Sequence, residues 1–593
     1  MSADGRRPGT GSPTDPRTTT ILAASFLGLL LILLGAQALP AGIAWGLDYP
    51  RDLGPAWRFG PWLAVLALTL LAAVPGRRAA AARRLAWLHD RPVESAILAA
   101  LACGALCLAF PDLTLFTGDA VLRRSAVSGV ADFDRLFPQA MPLDRLLHLV
   151  VPRALMSWTG ASPETLASGL GVVEAAAFGA LAVAFALGCG LRGLAALAAT
   201  TTVAGGAALG LFTGYDKAFA EMCVVTLGFA VAGLGELGRG RPGWASGLLV
   251  AVALGLHRSG LALLPAWIML WALTPAPSAP SAPSAPAGPR RWPWARLVPA
   301  AAIAAFVPLA WRHIRAVDAQ HLAPTGAAGA LAAAVAPERL RGLANLAFFL
   351  VPLVLLLPAA LWSTRPAKER GVRWLGVLAL SWLVPMLLVH PVQGEFRDWD
   401  VFAAGGVALA LPLALRLGRS LGSVPAPLAL AIAATALVPR VQWLALQTDP
   451  PRALARIEAW AAAPHPPRST AVASALEFVA IAQYQAGRIA EGRRAMAAAI
   501  AQAPWERLYL EWAKAESQVG DWAMALELFD RAARMAPRDP TPWYLLGLEA
   551  LDHRDRVAGV RAAAGMRRLS PGDPRAEELT ARLRAMVEGG RAP

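Results

Sequence analysis

Long apolar runs recur along most of the chain, each long enough to cross a membrane as a helix. Such a helix needs about 20 mainly apolar residues, because every backbone amide inside the hydrocarbon must be bonded within the segment. These runs predict a transmembrane domain at 21–446 with thirteen spans. The spans are at 21–39, 61–75, 93–111, 163–190, 193–212, 219–235, 244–257, 259–274, 297–311, 345–362, 374–390, 401–415 and 425–444. The sequence therefore predicts an all-α, multi-pass membrane protein.

A second pattern follows the last apolar run, where charged and Ala-rich helix formers take over. Pro504, Pro537 and Pro571 stand 33 and 34 residues apart, which is the period of tetratricopeptide repeats. Tyr509, Ala513 and Gly520 supply, in this order, a large residue, a small residue and the turn residue of such a repeat. Three units are enough for a small solenoid, and such repeats bind a peptide or partner protein. The predicted repeat domain is 447–593, with units near 471–504, 505–537 and 538–571.

Three polar stretches separate these elements. Residues 1–20 predict a disordered N-terminus, and the full-length apolar run after them predicts a retained anchor rather than a cleaved signal. A Pro/Ala/Ser tract makes 275–296 an extended cytoplasmic linker between two halves of the membrane domain. The loop before residue 163 holds apolar residues at helical spacing, namely Leu143, Leu146, Leu147, Val150 and Val151. This spacing predicts an amphipathic helix at the membrane interface.

Composition agrees with the bilayer as the main solvent. The 593 residues are 56% hydrophobic and 16% charged, with a mean hydropathy of +0.47, whereas ordinary soluble proteins have about 25% charged residues. The formal charge of +15 would indicate a nucleic-acid partner in a soluble protein. In a multi-pass protein, excess Arg first orients the loops, so we expect membrane lipids and no nucleic acid as partners.

Basic residues predict the orientation of the spans. With a cytoplasmic N-terminus, the inner loops hold most basic residues of the membrane domain, including the cluster at 77–84. An odd number of spans then places the repeat domain on the outer side of the cytoplasmic (inner) membrane. The stretch 244–274 is short for two spans and has His257 and Arg258 at its middle. A single tilted span there would reverse the predicted orientation of all later spans and of the repeat domain.

The cysteines predict neither a disulfide framework nor a zinc site. All four, Cys103, Cys107, Cys189 and Cys223, lie in or next to apolar spans. Cys103 and Cys107 share a helix face, but a zinc site needs two further ligands. We expect these thiols to be packing residues.

Ionisable residues collect at the ends of the predicted spans, where charge is costly unless it is paired or serves a polar site. Four clusters stand out, and all four reach the outer face in the predicted topology. They are FTGDAVLRR with Asp119, FTGYDKAFAE with Lys217, GLHRSG with His257 and Arg258, and HPVQGEFRDWD with Glu395, Arg397, Asp398 and Asp400. Four clusters on one leaflet predict a single polar cavity.

Each cluster also has a purely structural explanation. Asp119 stands where it can cap a helix that starts at Ala120. Lys217 and Arg258 stand where they can reach lipid phosphates as headgroup anchors. GEFRDWD holds three carboxylates and one Arg, enough for a loop that satisfies its own charges. The sequence leaves these alternatives open.

The order of these features resembles the GT-C superfamily of integral membrane glycosyltransferases. It runs from an apolar span at 93–111 through the GDA motif at Asp119 and FPQAMPLDRLLHLVVPRAL to short spans with GLHRSGLALLP. With its repeat tail, the chain is most similar to membrane O-mannosyltransferase-like proteins that carry such repeats. The resemblance covers roughly 93–445. It departs from the family where Ala120 replaces a second acidic residue, and in the two spans that precede the family-like region.

The resemblance implies transfer of a sugar from a polyprenyl-phosphate carrier to a protein or envelope glycan on the outer face. Asp119 is then the predicted general base, which takes a proton from the acceptor hydroxyl. Lys217, Arg258 and Arg397 are predicted to bind the departing lipid phosphate. The other predicted substrate-binding residues are Asp398, Asp400, His257 and Glu395. A divalent metal ion stays open as a cofactor, because the sequence does not define its ligands.

Two other functions stay open from the sequence. An envelope polysaccharide polymerase or ligase also combines many spans with outer Arg and His, but we expect its chemistry in one large late loop, and 391–400 is short. The other is a non-enzymatic scaffold or transporter that displays the repeats. A transporter is expected to show charges at span centres or an internal duplication, and neither is clear in this sequence.

Overall fold

The computed structural model describes residues 15–74, 90–240, 243–274, 294–317, 329–363, 369–465 and 469–589. Within these ranges every regular element is helical and no strand occurs. The chain forms two compact units, Met1–Arg456 and Ile457–Pro593. The basic cluster predicted at 77–84 and most of the predicted linker, 275–293, lie outside the described residues.

Nine helices in the described ranges are long and apolar enough to cross a membrane. They are Pro16–Ala36, Pro55–Ala73, Pro92–Ala109, Pro163–Gly188, Phe219–Arg239, Leu297–Ala316, Arg370–Leu388, Trp399–Leu421 and Ala426–Gln447. Each overlaps a predicted span. The prediction of an α-helical, multi-pass membrane protein is therefore confirmed.

The predicted count of thirteen spans is not supported, because four predicted spans take another form. The runs at 193–212, 244–257 and 259–274 form shorter apolar helices, Gly193–Ala204, Ala245–Leu256 and Arg258–Leu273. The run at 345–362 forms two helices, Pro337–Leu350 and Val354–Ser363, that meet at 95°. Hydropathy finds these apolar runs but does not find the breaks within them.

Specific residues cause two of these breaks. His257 has an extended backbone (φ −154°, ψ 144°), and its Nδ1 accepts a hydrogen bond from the Ser259 amide at 3.1 Å, so that it caps the next turn. Pro352 follows Val351 at the 95° bend. Proline has no amide hydrogen and disfavours a helical conformation in the residue before it.

The N-terminus is more ordered than predicted. Residues 16–20, predicted to be disordered, form the first turn of the Pro16–Ala36 helix. Asp15 caps this helix, because its carboxylate accepts a hydrogen bond from the Arg17 amide at 3.1 Å. Residues 1–14, the rest of the predicted disordered segment, lie outside the described residues.

Shorter helices fill the first long loop. They are Ala120–Val127, Phe133–Leu136, Pro142–Arg145 and Val151–Thr159, and a further short helix, Ala330–Ala334, lies later in the chain. A π-helical turn at Leu146–Val150 joins two of them into continuous helix over 142–159, the segment predicted to be amphipathic. Its apolar side chains Leu146, Val150 and Val151 are exposed, whereas Asp144 and His148 are buried. The polar face of this helix therefore points into the protein.

The first unit ends ten residues later than the predicted domain boundary at 446, because Arg456 belongs to it. Its guanidinium donates to the Trp45 carbonyl at 2.6 Å and to Asp48 at 3.2 Å. The same group lies 5.0 Å from the centre of the Phe396 ring. Arg456 thus ties the end of the first unit to loops that follow the first span and precede Trp399.

The second unit consists of short helices connected in pairs. The helices are Thr470–Gln485 with Ile489–Gln502, Glu506–Gln518 with Trp522–Met535, Thr541–Asp552 with Arg556–Leu569, and a last helix Pro574–Gly589. Gly487, Gly520 and Arg554 occupy equivalent turns with positive φ of 73°, 89° and 55°. Glycine tolerates this conformation without strain, so the third pair departs from the pattern at Arg554. These pairs coincide with the predicted units, and their identity as tetratricopeptide repeats stays a prediction.

Candidate functional site

The first long loop holds Asp119 in a fixed position. Gly118 has a φ of +76°, and a Cβ on it would lie 2.3 Å from the Tyr215 ring, so only glycine fits here. Asp119 precedes the Ala120–Val127 helix, but its side chain makes no capping hydrogen bond. The carboxylate pairs with Lys217 instead, at 3.1 Å. The helix-capping explanation of Asp119 therefore does not account for its side chain.

Lys217 links the first two clusters to the last one. It lies just before the Phe219–Arg239 helix, and its Nζ is 3.9 Å from Asp400 as well as 3.1 Å from Asp119. The Tyr215 hydroxyl donates a hydrogen bond to the same Asp400 carboxylate. Three segments far apart in sequence thus meet around one ammonium group.

The two late aspartates sit on either side of a buried tryptophan. Trp399 opens a 3-10 turn, Trp399–Phe402, and its Nε1 donates to the Thr117 hydroxyl at 3.0 Å. Asp398 accepts a hydrogen bond from the Gln393 amide at 3.2 Å. Because Thr117 is two residues before Asp119, Trp399 fixes the late loop against the first one.

The third cluster reaches the site through an aromatic ring. Phe219 lies 4.6 Å from the His257 ring, centre to centre, and 5.0 Å from Lys217 Nζ. His257 is also within electrostatic range of Lys217 and Arg258. The structure therefore brings His257 and Arg258 beside the cluster formed by Asp119 and Lys217.

Arg397 and Glu395, from the fourth cluster, have different surroundings. The Arg397 guanidinium lies 5.3 Å from the Phe116 ring centre and within electrostatic range of Asp119. Glu395 is bound by Arg339, which also donates to the Val389 carbonyl at 2.6 Å. Glu395 thus anchors its own loop, and its predicted substrate contact has no support from these partners.

The electrostatic environment separates the carboxylates. The Lys217 ammonium holds the pKa of Asp119 below its usual value, more than offsetting the effect of burial. Burial, followed by the charge on Asp400, raises the pKa of Asp398 to about 7. Burial opposes the charged form of Lys217, but Asp119 and Asp400 raise its pKa above the usual value. At neutral pH Asp119 and Lys217 are therefore charged, whereas Asp398 is close to its titration point.

The side chains of the cluster differ in their exposure to solvent. The side chains of Asp119 and Lys217 are 30% and 25% exposed, and Asp398 is also partly exposed. Asp400 is only 1% exposed and is held by Tyr215. A substrate can therefore reach Asp119, Lys217 and Asp398, while Asp400 supports them from below.

A second layer of ion pairs lies next to the cluster. Arg123 donates to both carboxylate oxygens of Asp144, at 2.7 and 3.0 Å, and this pair is buried. Arg124 donates to Asp216 at 2.8 Å. Bidentate pairs of this kind combine charge with fixed geometry.

Sequence analysis missed Tyr215, Thr117, Asp144 and Arg339 as contributors to this region. Only Asp144 carried a usable signal. It stands four residues before His148, opposite the apolar stripe of the 142–159 helix. Two buried polar groups at i and i+4 on a helix whose apolar face is exposed indicate an inward polar contact.

The described ranges contain neither a group of metal ligands nor a disulfide. No group of three or more His, Cys, Asp or Glu side chains there is arranged to hold a metal ion. The four cysteines are free thiols, and Cys107 only approaches the Leu209 carbonyl, at 3.8 Å. What the cluster can do is to bind an anion through its cations and to exchange a proton through its partly exposed carboxylates.

The resemblances to GT-C glycosyltransferases and to tetratricopeptide repeats rest on residue patterns in this chain. The geometry above brings together most of the residues that carry the first of them, while their roles stay predictions. In comparisons with known proteins, no protein-family model, no curated protein and no solved structure matches this chain.

Proposed function

We propose that this protein is a membrane glycosyltransferase of the GT-C type, which moves a sugar from a polyprenyl-phosphate donor to a hydroxyl acceptor on the outer face. One observation carries the proposal. Partly exposed Asp119, Lys217 and Asp398, from three distant segments, meet at the ends of apolar helices. A lipid-linked phosphate at a membrane surface needs cations there, and an acceptor hydroxyl needs a base beside them.

The proposed reaction assigns a role to each accessible group. The acceptor oxygen attacks the anomeric carbon while a carboxylate takes its proton, and the bond from that carbon to the phosphate oxygen breaks. The polyprenyl phosphate leaves with the bonding electron pair. Lys217, with Arg258 and Arg397 beside it, stabilises the negative charge on this leaving group through charge-assisted hydrogen bonds.

The environments of the two accessible carboxylates favour Asp398 as the base. A general base works best when its pKa is near the operating pH, and the pKa of Asp398 is about 7. Asp119, which was predicted to be the base, has a lowered pKa because Lys217 pairs with it. We assign to Asp119 the orientation of Lys217 and contact with the acceptor.

Replacing Asp119 by asparagine should slow sugar transfer at least tenfold. The substitution removes the charge that holds Lys217 Nζ at 3.1 Å, so the phosphate ligand loses its position. Transfer would be measured with the full chain in nanodiscs, from a short-chain polyprenyl-phosphate mannose to a Ser/Thr-rich peptide. Asp134→Asn is the matched control, because Asp134 pairs with Arg145 in the same loop and its side chain is 63% exposed. Equal rates for Asp119→Asn and wild type would remove Asp119 from the site.

The side of the membrane is a separate part of the proposal. The Thr114 hydroxyl and the Leu113 amide, in the loop that carries Asp119, donate to the Gln447 carbonyl at 3.0 and 3.1 Å. Gln447 ends the last apolar helix, so the first unit ends on the side that carries the cluster. We propose that this side is extracytoplasmic and that the repeats recruit the acceptor or a partner protein there.

A C-terminal reporter that is active only outside the cytoplasm should give a strong signal. A second fusion after Gly240 should give none, since Arg239 and Gly240 lie at the opposite end of the Phe219–Arg239 helix from Lys217. The measurement is the activity ratio of an outside-active and an inside-active reporter at both positions. A cytoplasmic signal at the C-terminus would place the cluster on the wrong side for a polyprenyl-phosphate donor.

A further inference from the structure

The membrane unit buries two glutamates against each other. Glu174 lies on the Pro163–Gly188 helix and Glu221 on the Phe219–Arg239 helix, and their side chains are within hydrogen-bonding reach. Both residues are more than nine-tenths buried, with 6% and 7% exposure. Among the described residues, no donor reaches any of the four carboxyl oxygens with hydrogen-bond geometry.

Two ionised carboxylates in contact are incompatible with such a place. An ionised carboxylate accepts hydrogen bonds but donates none, so two of them in contact repel each other. Burial removes the water that would screen the repulsion. A proton on one carboxyl turns the contact into a hydrogen bond and removes one of the two charges.

His148 joins the glutamate pair to the ion pairs of the candidate site. Its Nε2 lies 2.9 Å from Glu221 and 3.8 Å from Asp144, and the imidazole is buried. Asp144 in turn holds Arg123, which is within electrostatic range of Asp119. Although burial alone would lower it, the Glu221 and Asp144 carboxylates raise the pKa of His148.

The charges of the surrounding side chains determine how many protons this network holds. The groups that face the glutamate pair and His148 from the neighbouring segments are Arg123, Arg124, Asp144, Asp216 and the thiols of Cys107 and Cys223. Arg123 balances Asp144, and Arg124 balances Asp216. A protonated His148 balances Glu221. Glu174 then has no cation left, so neutrality requires a proton on it.

A cavity provides a way to reach this network. Its volume is about 290 Å³, and it is lined by the polar side chains of His148, Arg124 and Asp216 and by the apolar side chains of Leu147, Leu170 and Val173. Leu170 stands one helical turn before Glu174. The cavity therefore reaches the His148 side of the network.

We propose that Glu174, Glu221 and His148 form a proton-binding site inside the membrane unit, in which the two glutamates share one proton and His148 carries a second. The ligand is a proton, because no described group there has the three ligands that a metal ion needs. Through Asp144 and Arg123 the bound protons bias the charged cluster around Asp119. The site stands whether or not the chain transfers sugar.

Infrared spectroscopy of the full chain in nanodiscs tests this site directly. Because Asp398 is itself close to its titration point at neutral pH, all spectra are recorded with Asp398→Asn as the parent protein. At neutral pH this parent should show the carbonyl band of a protonated, buried carboxylic acid, shifted by exchange into D₂O. The band should disappear when Glu174→Gln or Glu221→Gln is added to this parent. Glu164→Gln, on the same helix but nearly unburied, is the control and should keep it.

Either of two results would overturn the proposal. One is a spectrum of the Asp398→Asn parent without such a band at neutral pH, which needs no change at the two glutamates. The other is a band that persists in both glutamate variants, which would assign the proton to another carboxyl group. Both readouts are independent of sugar transfer, so a failure here is distinct from a failure of the proposed enzyme activity.

Discussion

Replacing Lys217 by methionine should weaken the binding of a short-chain polyprenyl phosphate about 10- to 100-fold. Lys217 is the cation at the centre of the cluster, 3.1 Å from Asp119 and 3.9 Å from Asp400. A hydrogen bond to a charged group contributes about 1.5–3 kcal/mol, and each 1.4 kcal/mol is about tenfold in affinity. The dissociation constant would be measured by titration of the full chain in nanodiscs.

Two variants make the Lys217 result specific. Lys217→Arg keeps the charge and should lose much less affinity, while Lys514→Met removes a lysine that pairs with Glu511 in the repeat unit and should lose none. Lys217→Met also leaves Asp119 and Asp400 without their cation, so its melting temperature without ligand must be compared with that of wild type. Unchanged affinity in a folded Lys217→Met protein would leave Lys217 as a membrane anchor.

The long spans were predictable because length and hydropathy alone decide them. Nine predicted spans correspond to helices of sufficient length. The four others take another form, for reasons that hydropathy does not contain. At His257 a side-chain nitrogen replaces a backbone partner, and at Gly205 the chain crosses another backbone so closely that a Cβ would lie 2.1 Å from the Ala436 carbonyl oxygen. The break at Gly205 depends on a contact with a distant segment, whereas the break at His257 depends on a side chain two residues from its partner.

The proximity of the four charged clusters was predicted from the topology of the spans and not from the residues of the clusters. Placing Asp119, Lys217, His257 and Asp398 on one side of the membrane limits how far apart they can lie. It does not define the pairs. That Lys217 takes Asp119, whereas Glu395 takes Arg339, depends on the angles between helices, which hydropathy does not specify.

Tyr215 and Asp144 show what local sequence cannot supply. Tyr215 next to Asp216 reads as an ordinary loop aromatic, and only the fold brings its hydroxyl to Asp400, which is 185 residues away. Asp144 lies in a helix that was predicted to lie on the membrane through its apolar stripe. Three of its five side chains, Leu146, Val150 and Val151, are exposed, and the opposite face carries the buried contacts.

Replacing Asp398 by asparagine should remove the pH dependence of sugar transfer near neutrality and slow transfer about 10²- to 10⁴-fold, the usual contribution of a general base. Burial and the charge on Asp400 raise the pKa of Asp398 to about 7. Only the ionised carboxylate can take the acceptor proton. The wild-type rate should therefore fall as the pH drops through about 7 and level off above it, as measured by initial rates across this range.

The same profile decides between the two carboxylates. The pKa of Asp119 is lowered by Lys217, so a reaction that depends on Asp119 as base would show no inflection near pH 7. Asp134→Asn should keep the wild-type profile, since the Asp134 carboxylate is exposed and pairs with Arg145 in the same loop. An Asp398→Asn protein that keeps both rate and inflection would exclude Asp398 as the base. The inflection would then belong to another group, with His148 the first candidate, because its raised pKa and its link through Asp144 to Arg123 connect it to the same cluster.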